Sequence, residues 1–259
     1  MKRIFTLCFL LVLVFLFCMS GFSVSNAQSW YCKRNTDNRQ PIFGSDLSYV
    51  EQYDGYFLDR KHGDANPEKV VYLTFDAGYE NGNVARILDT LKEKQVSGAF
   101  FILSYLVNNN TELVLRMSDE GHLVCNHTSS HADVTTKTTF EEFSAELYSL
   151  ENVYREHTGR ELSKYFRPPE GRFNAASLSY AQKMGYKTVF WSFAYEDWNN
   201  NAQMSAQNAK KKILANVHNG AVILLHPTSA TNAEILGEVI DELRAQGYSF
   251  GTLDELTKK

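Results

Sequence analysis

Two histidines four residues apart, two aspartates, a buried-looking arginine and a third histidine mark where this chain could do chemistry. His127 and His131, in the run Asn126-His127-Thr128-Ser129-Ser130-His131, would share one face of a helical turn and chelate one divalent ion. Two imidazoles leave coordination positions open, and a catalytic metal needs those for water and for a substrate carbonyl oxygen. Such an ion polarises an amide carbonyl and lowers the pKa of bound water, so that a nearby carboxylate can take the proton. Asp76 is the natural base. The departing amine needs an acid, and His226 supplies one near neutral pH. Asp197 would hold that ring in its protonated form, and Arg167 would pair with Asp76 and keep it ionised. Taken alone, each residue has a plainer reading as a turn cap, a surface ion pair or a core histidine. Together they would all lie at the mouths of buried strands, where charged groups must be desolvated and paired.

The elements that must position these groups are legible as repeated βα units. From Val70 onward, short apolar runs alternate with stretches of helical periodicity. The expected strands are Val70–Phe75, Gly98–Leu103, His122–Cys125, Tyr165–Arg167, Lys187–Trp191, Ala221–Leu225 and Tyr248–Leu253. Between them, Val84, Ile87, Leu88 and Leu91 mark one helix, and Phe140, Phe143, Leu147, Leu150 and Tyr154 mark another, opened by a Thr138/Glu141 capping box. Leu178 to Met184, Ala209 to Val217 and Ile235 to Leu243 each run into a glycine stop. Strands without polar alternation are buried on both faces, which favours a parallel barrel over an open doubly wound sheet. In such a barrel the reactive groups follow the C-terminal ends of the strands. Asp76, His127, His131, Arg167, Asp197 and His226 all do so in this reading.

Composition bounds the rest. With 259 residues, 44% of them hydrophobic, the chain can bury one large core. Residues 1–27 read as a secretory signal peptide: Met1-Lys2-Arg3, an apolar run from Ile4 to Cys18, then small residues at Ser25-Asn26-Ala27. That run is short for a membrane span, and Phe17 before Cys18 argues against a lipid anchor. The folded part is expected outside the cytoplasm, in the secreted or cell-wall space. Removing residues 1–27 deletes two basic residues and no acidic one, leaving 24 basic against 30 acidic, a net charge near −6. There is no basic stripe for nucleic acid, no phosphate-binding glycine loop, and no cysteine framework, Cys125 reading as a buried free thiol. Residues 28–68 read as an irregular extension packed on the barrel, ahead of a single catalytic domain over 69–259.

At this point the residues resemble a known family, the polysaccharide deacetylases with a NodB-like domain, over roughly Val70 to Leu256. Thr74-Phe75-Asp76-Ala77 looks like its first motif, His127 to His131 its metal motif, and Arg167-Pro168-Pro169-Glu170-Gly171 its third. Asp197-Trp198 and Leu224-Leu225-His226-Pro227 resemble the last two. The resemblance implies a distorted (β/α)7-type parallel barrel, with Asp76 as base, His226 as acid, Arg167 and Asp197 as their partners, and His127 and His131 as metal ligands.

One departure stands out. The family usually places a metal-binding aspartate directly after the base, where this chain has Ala77. Weaker affinity, an extra water, direct coordination by Asp76 and a metal-free carbohydrate-binding protein are the alternatives this leaves. The string from Thr74 to Gly82 is similar to a subgroup lacking that aspartate, the delta-lactam-biosynthetic de-N-acetylases. That implies removal of acetate from N-acetylmuramic acid in peptide-stripped peptidoglycan, on the way to the muramic δ-lactam of spore cortex. Deacetylation of N-acetylglucosamine in peptidoglycan or chitin is the competing activity. Zinc is the expected ion, with cobalt, nickel and iron suited to the same imidazoles. Tyr79, Glu80, Asn81, Pro168, Pro169, Gly171, Arg172, Trp191 and Trp198 are the expected substrate contacts, Arg172 as partner of the lactyl carboxylate, and the chain is expected to act as a monomer.

Overall fold

Short valine, leucine and phenylalanine runs are stable only where both faces are covered, and the chain arranges that cover around one strand. The structure is a computed structural model and describes residues 27–32 and 37–258, so the expected signal segment lies outside the described residues apart from Ala27. The order is β1 (Gln28–Ser29), a 3-10 turn (Ser45–Tyr53), β2 (Gly55–Tyr56), β3 (Lys69–Ala77), α1 (Asn83–Lys94), β4 (Ala99–Ile102), α2 (Ser104–Asn109), α3 (Thr111–Asp119) and β5 (Leu123–Asn126). There follow α4 (Phe140–Thr158), β6 (Ser163–Phe166), β7 (Arg172–Phe173), α5 (Ala175–Lys183), β8 (Lys187–Val189), α6 (Ala206–Asn216), β9 (Ala221–Leu225), α7 (Ala230–Ala245), β10 (Tyr248–Phe250) and α8 (Leu253–Leu256).

β3 is the organising strand. Val71 pairs with both β10 and β9, and Thr74 and Phe75 pair with both β4 and β9. β9 therefore holds one edge, and β4 and β10 share the other. The sheet continues β4-β5-β6-β8-β2, with every pairing parallel. Closure back to β9 is sparse: β2 fills the gap beside β8, and single bridges join Leu58 to Ala221 and Phe193 to Ile223. This is the distorted parallel barrel expected from sequence, with one correction. The N-terminal extension is not wholly irregular, because Gly55–Tyr56 supplies a strand of the sheet.

Strand periodicity sorts β3 into two layers. Val71, Leu73, Phe75 and Ala77 face outward and pack with α1, α6 and α7 through Ile87, Leu91, Ile213, Leu236 and Ile240. Each such buried side chain stabilises by roughly 1.5–3 kcal/mol. Val70 and Tyr72 face the barrel interior with Phe101, Cys125, Tyr165 and Val222, and Leu253 and Leu256 of α8 plug that end. The hydroxyls at the plugged end donate inward, Tyr72 to Asp59 at 2.5 Å and Tyr165 to Asp254 at 2.6 Å. The opposite end, where β3, β5, β6 and β9 finish, stays open for chemistry.

The seven expected strands all form, some of them shorter than expected. β8 ends at Val189 instead of Trp191, and Leu253 opens α8 instead of closing β10. The capping box sits one residue later than expected, on Thr139 and Glu142. Ser104–Asp119 carries two helices that the apolar period passed over, since Asn108-Asn109-Asn110 interrupts it. Cys125 is a buried free thiol, as expected. Among the described residues no helix is long and apolar enough to cross a membrane.

Candidate active site

The even register of β3 turns Asp76 inward at the open end, where it meets Arg167, the first residue after β6. Arg167 is fully buried. Its guanidinium donates to Asp76 Oδ1 at 2.7 Å, to Thr74 Oγ1 at 2.8 Å and to the carbonyls of Val189 and Phe190 at 2.9 and 3.2 Å. Phe101 lies under it, 4.2 Å from ring centroid to guanidinium carbon. Burial alone would raise the Asp76 pKa, but the Arg167 charge overrides that and holds the carboxyl below its ordinary value.

His127 follows β5. Its Nδ1 lies 2.8 Å from the Arg167 carbonyl, which can only accept, so Nδ1 carries the proton and Nε2 carries a lone pair. Burial pushes the His127 pKa down to about 4, keeping the ring neutral, as a metal ligand must be. The His131 ring lies beside it, with centroids 5.2 Å apart. The helical turn expected for this segment is absent. Thr128 (φ 70°) and His131 (φ 59°) are left-handed instead, a conformation costing about 1–3 kcal/mol per non-glycine residue. Buried Asn126 pins the loop by accepting from the Thr128 amide at 2.8 Å. Ser129 bonds Ser104 and Ser149 at 2.8 and 3.1 Å.

The donors can be tested for fit to a cation. His127 Nε2 stands 3.6 Å from Asp76 Oδ2, too far for a hydrogen bond. Two ligands about 2.1 Å from one tetrahedral ion lie about 3.4 Å apart, so this pair fits two positions on an ion, with His131 alongside. Among the described residues no three Asp, Glu, Cys or His side chains already converge as a complete metal group. Ala77 explains part of this, because it belongs to the outer apolar layer and is fully buried there. The residues present therefore fit an ion bound by few protein ligands.

Across the cleft His226 follows β9. Its Nδ1 meets Asp197 Oδ1 at 2.7 Å, leaving Nε2 for the cleft. Burial would lower its pKa, but the hydrogen bond and charge of Asp197 raise it above the ordinary imidazole value. Asp76, His127, His131 and His226 all line one cavity of about 860 Å³.

Of the expected substrate contacts, Tyr79, Trp191 and Trp198 line this cavity. Glu80 and Asn81 are not among its lining residues: Glu80 accepts from the Ala85 amide at 3.0 Å at the start of α1, and Asn81 donates to the Thr228 carbonyl at 2.8 Å. Pro168, Pro169 and Gly171 are buried behind the wall. Arg172 lies in β7, pairs with Asp133 at 3.1 Å and is not among the residues lining the cavity. Tyr195, an aromatic the sequence offers for stacking on a sugar ring, lines the cavity as well, and Trp30, Tyr31, Glu170 and Glu196 line it without a sequence expectation. Only the aromatic pair Trp30-Tyr31 in an otherwise polar extension could have signalled this. Trp30 is held by β1–β7 pairing, by its amide on the Gly171 carbonyl (2.8 Å) and by its indole on the Trp191 carbonyl (2.8 Å).

Gly171 has φ 65°, and a Cβ there would stand 2.8 Å from Trp191 Cη2 and 3.0 Å from Trp30 Cβ. Gly171→Ala is expected to destabilise the protein by about 1–3 kcal/mol, read as a lowered thermal midpoint. An unchanged midpoint would show that the wall yields freely.

A parallel barrel whose open end holds a carboxylate of lowered pKa, an imidazole of raised pKa and a pair of further imidazoles is equipped for cation-assisted hydrolysis. The polysaccharide deacetylase family profile matches residues 63–189, and the chain belongs to that family. Deacetylases of this family are generally metal-dependent. The peptidoglycan-N-acetylmuramic acid deacetylase PdaA of Bacillus subtilis is 40% identical over 229 residues, covering 88% of this chain and 85% of that protein. The solved structure of that protein, described as a family 4 carbohydrate esterase, superposes with a TM-score of 0.83 at 39% identity, covering 89% of this chain and 97% of the other. A peptidoglycan-N-acetylglucosamine deacetylase of Bacillus cereus is 30% identical over 198 residues, 74% of this chain and 90% of that protein.

Proposed function

We propose that this cleft removes the N-acetyl group from N-acetylmuramic acid in peptidoglycan whose stem peptide has been cut away. The observation that carries it is the opposed tuning of two groups on one cavity: Asp76, whose pKa the Arg167 charge lowers, and His226, whose pKa Asp197 raises. In this reading Asp76 takes the proton of the attacking water as its oxygen bonds to the acetyl carbon. His226 Nε2 gives its proton to the sugar nitrogen as the carbon–nitrogen bond breaks, releasing acetate and a free amine. A divalent ion held by His127 and His131, with Asp76 facing it, would polarise the acetyl carbonyl and acidify the water; zinc suits these donors, as do cobalt, nickel and iron. Tyr79, Trp191 and Trp198 would stack on the sugar rings.

Muramic acid is preferred to glucosamine because similarity to the muramic acid deacetylase is both higher and more extensive. The freed amine would lie next to the lactyl carboxylate, so δ-lactam formation in spore cortex is the outcome we propose downstream. A signal peptide over residues 1–27 would deliver the enzyme to the outer side of the membrane as a secreted monomer. Acetate release from peptide-stripped glycan strands tests the substrate. It should exceed release from N-acetylglucosamine oligomers and cease after chelation; activity on the oligomers alone would contradict the assignment.

The tuning also sets a pH dependence. Asp76 must be ionised, and its lowered pKa moves the acid limb of kcat/KM below the usual carboxylate range. His226 must be protonated, and its raised pKa moves the alkaline limb above the usual imidazole value. In Asp197→Asn the raising partner is lost, so the alkaline limb should shift to lower pH. A profile unchanged by that substitution would contradict the pairing.

A further inference from the structure

We infer that Asn232, in the first turn of α7, is a positioning residue for the proton donor and acts on it through Asp197. This rests on the reading of His226 as the acid. The Asn232 side chain is buried, with 1% of its surface exposed. Its Oδ1 accepts from the Tyr195 hydroxyl, which turns the amide so that Nδ2 faces Asp197. Nδ2 donates to Asp197 Oδ2 at 2.6 Å and to the His226 carbonyl at 3.1 Å. The His226 amide donates to the same Oδ2 at 2.7 Å. Two N–H donors thus pin one carboxylate oxygen, and the other has a single orientation, toward His226 Nδ1 at 2.7 Å.

Asn232 is itself fixed from both ends. Its backbone N–H donates to the Ser229 hydroxyl at 3.0 Å, and Tyr195, whose hydroxyl sets the side-chain amide, lines the same cavity as His226. A run of bonds therefore passes from the cavity wall through Tyr195, Asn232 and Asp197 to the imidazole. Without the amide, buried Asp197 loses one of two donors on Oδ2 and can turn away from the ring. The base side of the cleft, Asp76 and Arg167, shares no hydrogen bond with Asn232 and should be untouched.

The distinguishing readout is leaving-group dependence. An amine must be protonated to depart, whereas 4-nitrophenolate needs no proton. Asn232→Leu and Asn232→Ala, with His226→Ala in parallel, would be assayed on N-acetylated glycan and on 4-nitrophenyl acetate, with thermal melting of each. We expect the Asn232 variants to lose roughly ten- to a hundredfold in kcat on the amide, as for a charge-assisted hydrogen bond, with KM and the ester rate near the parent's. Equal losses on both substrates, or no loss on the amide, would overturn the inference. If His226→Ala cleaves the amide at the parent rate, the acid assignment itself fails, and this inference with it.

Discussion

Asp76→Asn should lower kcat on the N-acetylated glycan by about a thousandfold in a protein that still folds, though it is less stable with the buried Arg167 lacking its anionic partner. Asparagine keeps the size of the side chain and still offers an oxygen to Arg167 Nη1, now 2.7 Å from the carboxylate, so the interior of the barrel need not rearrange. What disappears is a group that can take a proton from water. KM should change little, because the sugar-facing walls at Tyr79, Trp191 and Trp198 are separate from it. Steady-state kinetics, with circular dichroism as a check of folding, measures this. A variant as active as the parent would show that the proton goes elsewhere.

Arg167→Met carries the second large effect, and it falls on stability as well as rate. Removing a fully buried cation leaves the Asp76 carboxylate in the interior without its partner. Breaking a buried pair from one side costs about 3–5 kcal/mol, a large share of the stability of a domain this size. Denaturant unfolding reads the loss directly. Combining Arg167→Met with Asp76→Asn removes the stranded charge as well, so the double variant should be more stable than the sum of the single losses implies. Strict additivity would mean that the 2.7 Å contact contributes no coupling.

Much of the catalytic wall was legible because strand periodicity and strand ends are local properties. Asp76 directly after the first apolar run, and Arg167 and His226 at the ends of the fourth and sixth, followed from the strand ends. What escaped depends on contacts far apart in sequence. The histidine pair reads as a helical turn by spacing alone, yet Asn126 and the Ser104–Ser129–Ser149 cluster hold it in a left-handed loop. Gly55–Tyr56 has no periodicity in two residues and becomes a strand only because β8 offers an unpaired edge. Arg172 looked like a ligand-facing cation beside the third motif, but pairing with β1 fixes β7 and Asp133 captures the side chain. Asn232 precedes the apolar period that begins at Ile235 and carries no signal of its own, and its contact with Asp197 exists only in the folded chain.

Removal of the muramic acetyl group is tested by identifying which sugar of the glycan loses it. Peptide-stripped glycan strands would be incubated with the holoenzyme, digested to disaccharides and analysed by mass spectrometry with fragmentation. The prediction is a muramic residue lacking its acetyl group, either as the free amine or closed to the lactam, beside an intact N-acetylglucosamine. Disaccharides that keep both acetyl groups, with cation bound and Asp76 and His226 in place, would contradict it.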